Sequence, residues 1–272
     1  MSFIGTSMIF DGVSSEEMGL ALFDFSSKRQ SGTRFTGDLS PAQERIEGRY
    51  RPLFYGGAVN GPLIFTMVLS ATEERARRNE PFDRWDMQKI TAWLTGHDGY
   101  KWLSIVQGDL EEIRYRCLIS ELEAVEVSGL TWGFSCKVTC DSPFAYLAPV
   151  AYTFAVNGSG SGQVFSESSY NGFYYPKLVI SGHTGGTVSI DIRNKQERGT
   201  FTFQGLPAAA GTMTIDCENC VVTAEGISNP YQYLLFPPGF HFPRFARGVN
   251  HIALAGTGNY TFTCEWPVNV GG

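Results

Sequence analysis

Residues 81–96 read Pro-Phe-Asp-Arg-Trp-Asp-Met-Gln-Lys-Ile-Thr-Ala-Trp-Leu-Thr-Gly. Asp83 stands where an N-cap is expected. Asp86 follows three residues later, where a carboxylate favours the positive end of a helix. Met87, Ile90 and Leu94 recur at helical spacing with Trp93 beside them, and Gly96 stands where a helix should stop. The spacing predicts an amphipathic helix over 83–95, about three to four turns long, with its apolar face on a sheet. One helix in 272 residues makes the chain mainly β.

Working outward from the helix, short apolar runs predict strands. They are Met8–Phe10, Leu20–Phe25 and Leu63–Ser70 before it, and Tyr100–Val106, Ile113–Glu121 and Leu130–Cys140 after it. Residues 26–51 break this pattern. They are polar, alternate in charge and hold Gly32, Gly37 and Gly48, yet carry Phe35, Leu39, Ile46 and Tyr50 at intervals. Two readings stand for them: a projecting hairpin arm with intermittent anchors, or a disordered surface loop.

Pro143 and Pro149 punctuate an aromatic stretch and place a boundary there, giving domains 1–143 and 144–272. Beyond it helix signals vanish. Turn signals recur at Asn157-Gly158-Ser159-Gly160, Asn171-Gly172, Gly185-Gly186, Pro237-Pro238-Gly239 and Gly256-Thr257-Gly258-Asn259. Short strands between such turns predict an antiparallel β-sandwich. The halves also differ in charge. Residues 1–143 hold 15 Lys+Arg and 20 Asp+Glu, and residues 144–272 hold 6 and 7. An acidic chain with net charge −6 is a poor match to a nucleic-acid reader, which needs a basic face.

The start lacks the basic region and long apolar run of a secretory signal. The longest apolar stretch, Ala145–Val156, is broken by Pro149, so membrane insertion is not expected. The six cysteines are therefore read as thiols made in a reducing compartment.

Residue sets that could carry chemistry lack partners or geometry. Cys217-Glu218-Asn219-Cys220 is a CxxC, and Cys136 and Cys140 are four apart. A zinc site wants four ligands at matched spacing, and His97, His183, His241 and His251 are scattered. On strands, Cys136 and Cys140 would share a face while Cys217 and Cys220 point oppositely. Glu73-Glu74 and Glu111-Glu112 are adjacent, whereas glycosidase carboxylates must face each other across a sugar. Arg75-Ala76-Arg77-Arg78 reads as a solvated loop, with contact to an acidic neighbour or a phosphate as the other readings. Gly158–Gly162 lacks the Lys-Ser/Thr of a phosphate loop and reads as a flexible turn. No Gly-x-Ser-x-Gly or His-Glu-x-x-His occurs. No catalytic, cofactor-binding or metal-ligating residue is assigned, and no cofactor is expected.

An ordered series of motifs resembles the siphophage distal tail protein family. It begins with Ile9-Phe10-Asp11-Gly12-Val13-Ser14-Ser15 and Met18-Gly19-Leu20. It continues through Arg84-Trp85, Ile90, Trp93-Leu94, Tyr100-Lys101-Trp102-Leu103 and Cys140-Asp141-Ser142-Pro143-Phe144-Ala145. In the second half it takes in Tyr175–Ile180, Thr214–Cys217, Pro238-Gly239 and Gly248–Ile252. The resemblance implies a β-rich N-terminal ring domain with one α-helix and an extended hairpin arm, followed by a galectin-like antiparallel β-sandwich. It implies a structural hub, not an enzyme. Six copies would form a ring joining the major tail tube protein to a central tip or tail-associated lysin protein. Receptor-binding proteins would dock outside, and DNA would pass only as cargo. The place implied is the virion tail tip, after assembly in the host cytoplasm.

An acidic first domain fits a bore that DNA does not stick to, and equally an ordinary solvated surface. The alternative function is carbohydrate-binding receptor recognition. Against it, Trp266 is the sole tryptophan after residue 143, and the galectin His-x-Asn-x-Arg run is absent. A wall hydrolase would need an acid, base, nucleophile or metal set that the sequence does not supply.

Overall fold

The computed structural model describes residues 6–22, 38–108, 110–208 and 211–270. The chain divides into two compact units, Met1–Leu147 with Asn269–Gly272, and Ala148–Val268.

In the first unit the strands are β1 (Ser7–Phe10), β2 (Val13–Ser14), β3 (Leu20–Leu22), β4 (Asp38–Glu44), β5 (Leu53–Asn60), β6 (Ile64–Ala71), β7 (Lys101–Val106), β8 (Ile113–Val127), β9 (Leu130–Cys140) and β10 (Ala145–Leu147). The main sheet runs β2-β1-β7-β8-β9-β6-β3, all antiparallel, with β10 on β8. Alternation sends Phe65, Met67 and Leu69, then Tyr115, Cys117 and Ile119, then Phe134, Cys136 and Val138 into one core. Between β8 and β9, Ser128 and Gly129 take φ of +56° and +78°. Two successive left-handed residues make the tight turn that matches strand twist.

The predicted helix is α2 (Arg84–Thr95). The Asp83 carboxylate accepts from the Trp85 and Asp86 backbone N–H groups at 2.8 Å, and Asp86 reciprocates to the Asp83 N–H. Ile90, Trp93 and Leu94 are buried, and Trp93 Nε1 donates to the Phe10 carbonyl at 3.1 Å. These contacts fix the helix on the sheet.

A second, unexpected helix precedes it. The stretch read as a solvated loop lies in and just beyond α1 (Glu73–Arg77). Glu73–Arg77 and Glu74–Arg78 pair four residues apart at 2.5 Å. Such exposed pairs contribute only about 0.3–0.5 kcal/mol each. The stronger tie is Arg75, which turns inward. Its Nε donates to the Glu80 carbonyl at 2.9 Å, its guanidinium pairs with Asp86, and it lies 4.2 Å over the Phe82 ring.

The arm expected over 26–51 is described only in its second half. Residues 26–37, with Phe35, lie outside the described residues. From Asp38 onward the chain forms a hairpin, β4 with β5, which runs on to Asn60. Pro41 and Gly56-Gly57, residue types that ordinarily interrupt strands, sit inside its strands. A bulge between Ala42 and Gln43 absorbs the irregularity.

In the second unit the strands are β11 (Val150–Val156), β12 (Ser159–Ser166), β13 (Lys177–Ser181), β14 (Gly186–Arg193), β15 (Arg198–Leu206), β16 (Met213–Asp216), β17 (Val221–Ala224), β18 (Gly248–Ala255) and β19 (Gly258–Cys264). They form two antiparallel sheets, β11-β19-β13-β16-β17 and β12-β18-β14-β15. Phe201, Phe203, Phe245, Tyr260, Phe262 and Trp266 fill the interior.

Gly158–Gly162, expected to be a turn, is mostly strand. Only Gly158, at φ +81°, turns the chain. Gly160 and Gly162 belong to β12. A Cβ on Gly162 would sit 2.2 Å from the Phe154 ring of β11, so glycine lets that ring close on the strand. Buried Asn250 pins the loop before β18. It accepts from the Ala246 N–H at 2.9 Å and donates to the Ala246 and Gly248 carbonyls at 2.8 and 3.0 Å.

Candidate assembly interface

The residue sets considered for chemistry are held apart or buried. Cys136 and Cys140 both face the core from β9, and Cys117 is the Cα partner of Cys140 across the ladder. Burial pushes the Cys136 and Cys140 thiols up to about 12, with Asp141 adding to the second, and raises Cys117 further. Thiols held protonated are poor nucleophiles and poor ligands. The CxxC is not on a strand, as the opposed-faces argument assumed. It forms the turn between β16 and β17, with Cys217 buried and Cys220 exposed at φ +58°.

The histidines serve separate local roles. His97 bonds the Trp93 carbonyl at 2.6 Å, His183 the Gly211 carbonyl at 3.0 Å, and His241 the Phe242 carbonyl at 3.0 Å. Glu73 and Glu74 are engaged by arginines, and Glu111 and Glu112 are exposed in the turn before β8. Among the described residues, no group of three His, Cys, Asp or Glu side chains is arranged to hold a metal ion, and no helix is long and apolar enough to cross a membrane. Trp266 is 1% exposed and packs 4.7 Å from Tyr174, so it offers no platform to a sugar.

What the first unit does present is the β4–β5 hairpin. It makes a sheet of its own, and among the described residues no third strand joins it. Four large apolar side chains of its described part face water: Tyr50 is 85% exposed, Phe54 67%, Tyr55 65% and Ile46 41%. Arg51 lies 5.2 Å over the Tyr50 ring, and the Tyr55 hydroxyl donates to Glu44 at 3.1 Å. A two-stranded ribbon is marginal alone. Aromatic residues are the commonest anchors of protein interfaces, and free strand edges invite pairing with another chain. The combination is that of a segment built to lie on something else. Sequence reading found the polar arm and Tyr50, but missed Phe54 and Tyr55, which fall beyond its boundary.

The second unit offers an apolar patch at Leu235 and Phe236, both exposed. The Phe236 ring rests 4.8 Å from Phe240, which leads inward to Phe201 and Phe242.

A family model described as phage tail protein N-terminal domain matches residues 3–142, just over half of the 272. Among solved structures, the crystal structure of the SPP1 Dit protein matches with a TM-score of 0.66 at 10% identity, covering 96% of this chain and 98% of that one. Its description is a paradigm of hub adsorption apparatus in Gram-positive infecting phages. A chain of the phage p2 baseplate in its activated conformation gives a TM-score of 0.49 at 9% identity, with coverage of 96% and 98%. No curated protein sequence matches the chain. At these identities the first structural likeness is one of fold, and it extends over both units.

Proposed function

The chain belongs to the phage tail protein family whose N-terminal domain spans residues 3–142, and on that premise we propose that it is the distal hub ring of the tail. It is a structural tail protein and not an enzyme. Its action is geometric: copies of the first unit close into a hexameric ring on the tail tube, and the second unit is a docking platform. In this reading domains 1–143 and 144–272 divide those tasks. The partners are further copies of itself, the major tail tube protein, a central tip protein and receptor-binding proteins. DNA passes without specific contact.

The observation that carries the reading is the β4–β5 hairpin, with Tyr50, Phe54 and Tyr55 exposed and, among the described residues, no third strand completing the ribbon. A ring needs a head-to-tail interface whose rotation closes. An arm that lays aromatic anchors on the next copy supplies one and covers its own edges. A stable contact of this kind would bury about 1,200–2,000 Å².

The test is assembly of the purified protein with its tube protein, followed by sizing chromatography and electron microscopy. The intact chain should form rings. A variant lacking residues 38–60 should stay monomeric and lose only the strand content of that hairpin, and the milder Tyr50→Ser/Phe54→Ser double variant should stay monomeric with unchanged strand content. Rings from the deletion variant would overturn the role given to the hairpin.

A further inference from the structure

The sheet β12-β18-β14-β15 has one face in the core and one in water. On the outer face, Gln163, His251, Arg193 and Arg198 are successive Cα partners across the four strands. The next row is Ser161, Ala253, Asp191 and Thr200. The small side chains of Ser161 and Ala253 leave a hollow, and the longer ones beside them turn it into a groove.

Two arginines stand directly opposite each other in this groove. Like charges at facing strand positions are destabilising. Asp191 answers only one of them: Arg198 grips it with two nitrogens, Nε at 3.0 Å and Nη2 at 2.5 Å. Among the described residues Arg193 has no carboxylate partner. The groove therefore keeps a positive charge on a chain whose net charge is −6. An anion seated beside Arg193 would relieve the repulsion and find a guanidinium fork already in place.

The rest of the groove favours hydroxyls. Gln163 and Ser161 offer donors and acceptors, and Asp191 accepts. Phe165, two residues along β12 and on the same face, is 57% exposed opposite Val249, which is 43% exposed. An exposed ring beside a polar row suits the apolar face of a sugar.

We propose that this groove binds an anionic saccharide, with its phosphate or carboxylate on Arg193, its hydroxyls on Gln163, Ser161 and Asp191, and its carbon face toward Phe165. The inference goes beyond the hub reading and does not depend on ring formation.

Titration calorimetry of the full chain tests it with four probes: glucose 6-phosphate, glucuronate, glucose and inorganic phosphate. At least one of the two anionic sugars should bind, with glucose and inorganic phosphate each weaker by about tenfold or more. The anionic sugar that binds better identifies the anion. Arg193→Gln should weaken that sugar by about tenfold, the loss of one charge-assisted contact. Gln163→Ala, on the opposite edge, should weaken it by a smaller factor while leaving the melting temperature unchanged. The proposal is overturned if neither anionic sugar binds, if inorganic phosphate alone binds as well as the sugars, or if Arg193→Gln binds unchanged.

Discussion

Arg75 of α1 pairs with Asp86 of α2, and that carboxylate also accepts the Asp83 backbone N–H that opens α2. One aspartate thus closes the capping box and ties the two helices together. The guanidinium is held in turn by the Glu80 carbonyl and the Phe82 ring.

Replacing Arg75 by Met keeps the stem and removes the fork. The unfolding free energy in urea should fall by about 1–2 kcal/mol, a charged hydrogen-bond set discounted for its partial exposure. Arg75→Lys should recover less than half of that, because a single ammonium cannot reach the carboxylate and the carbonyl in the fork's geometry. Full recovery by lysine would show that charge alone matters.

Asn250→Ala should be severe. It leaves the Ala246 N–H and C=O without their side-chain partner in a buried loop. Each orphaned group costs about 1–3 kcal/mol, so a loss on the order of 3 kcal/mol is expected in thermal or chemical melts. Asn250→Asp keeps the acceptor but loses the bonds donated to the Ala246, Gly248 and Val164 carbonyls and buries a charge, so it should be no milder at neutral pH.

Thiol labelling separates the cysteines. Cys220 is the exposed one of the six, and the other five are buried. A thiol reagent at pH 8 should modify one cysteine per native chain quickly and all six only after denaturation. Cys220→Ser should abolish the fast phase. Two fast thiols in the wild type would contradict the packing of Cys217 beneath the β16–β17 turn.

Acid should weaken the second unit through Glu197. Arg244 grips this carboxylate at 2.7 and 2.5 Å, and that hydrogen bonding, with His241 nearby, holds its pKa below the ordinary 4.5. A depressed carboxylate contributes stability that is present above the unfolded value and lost as pH falls through the folded one. Melting temperature should therefore drop below about pH 4.5. Glu197→Gln should be less stable at pH 7 and show a flatter acid limb. An acid limb as steep in the variant would exclude Glu197 as a contributor.

What could be read beforehand follows from where the stabilising contacts lie in the chain. The helix α2 was legible because its cap, its apolar stripe and its stop are all local, within residues 83–96. The helix α1 was not, because five residues hold no apolar stripe and Arg75 finds its partners further along the chain at Glu80, Phe82 and Asp86. The β4–β5 ribbon hid its strands for a related reason. The side chains described at residues 41–55 reach water, so burial imposes no alternation there, and Pro41 and Gly56-Gly57 look like breaks. The glycines of β12 misled because their reason is a ring on another strand, Phe154. The groove was invisible: Gln163, Arg193, Arg198 and His251 become neighbours only through the register of four strands.

The separateness of the β4–β5 ribbon bears on how such a protein diversifies. Substitutions at residues 41–55 meet no interior among the described residues, since the side chains there reach solvent to varying degrees. Under the hub reading the same residues choose the neighbour. Grafting residues 38–60 from a relative should therefore transfer the choice of ring partner while the rest of the chain folds as before, which makes compatibility between copies an exchangeable trait of one short segment.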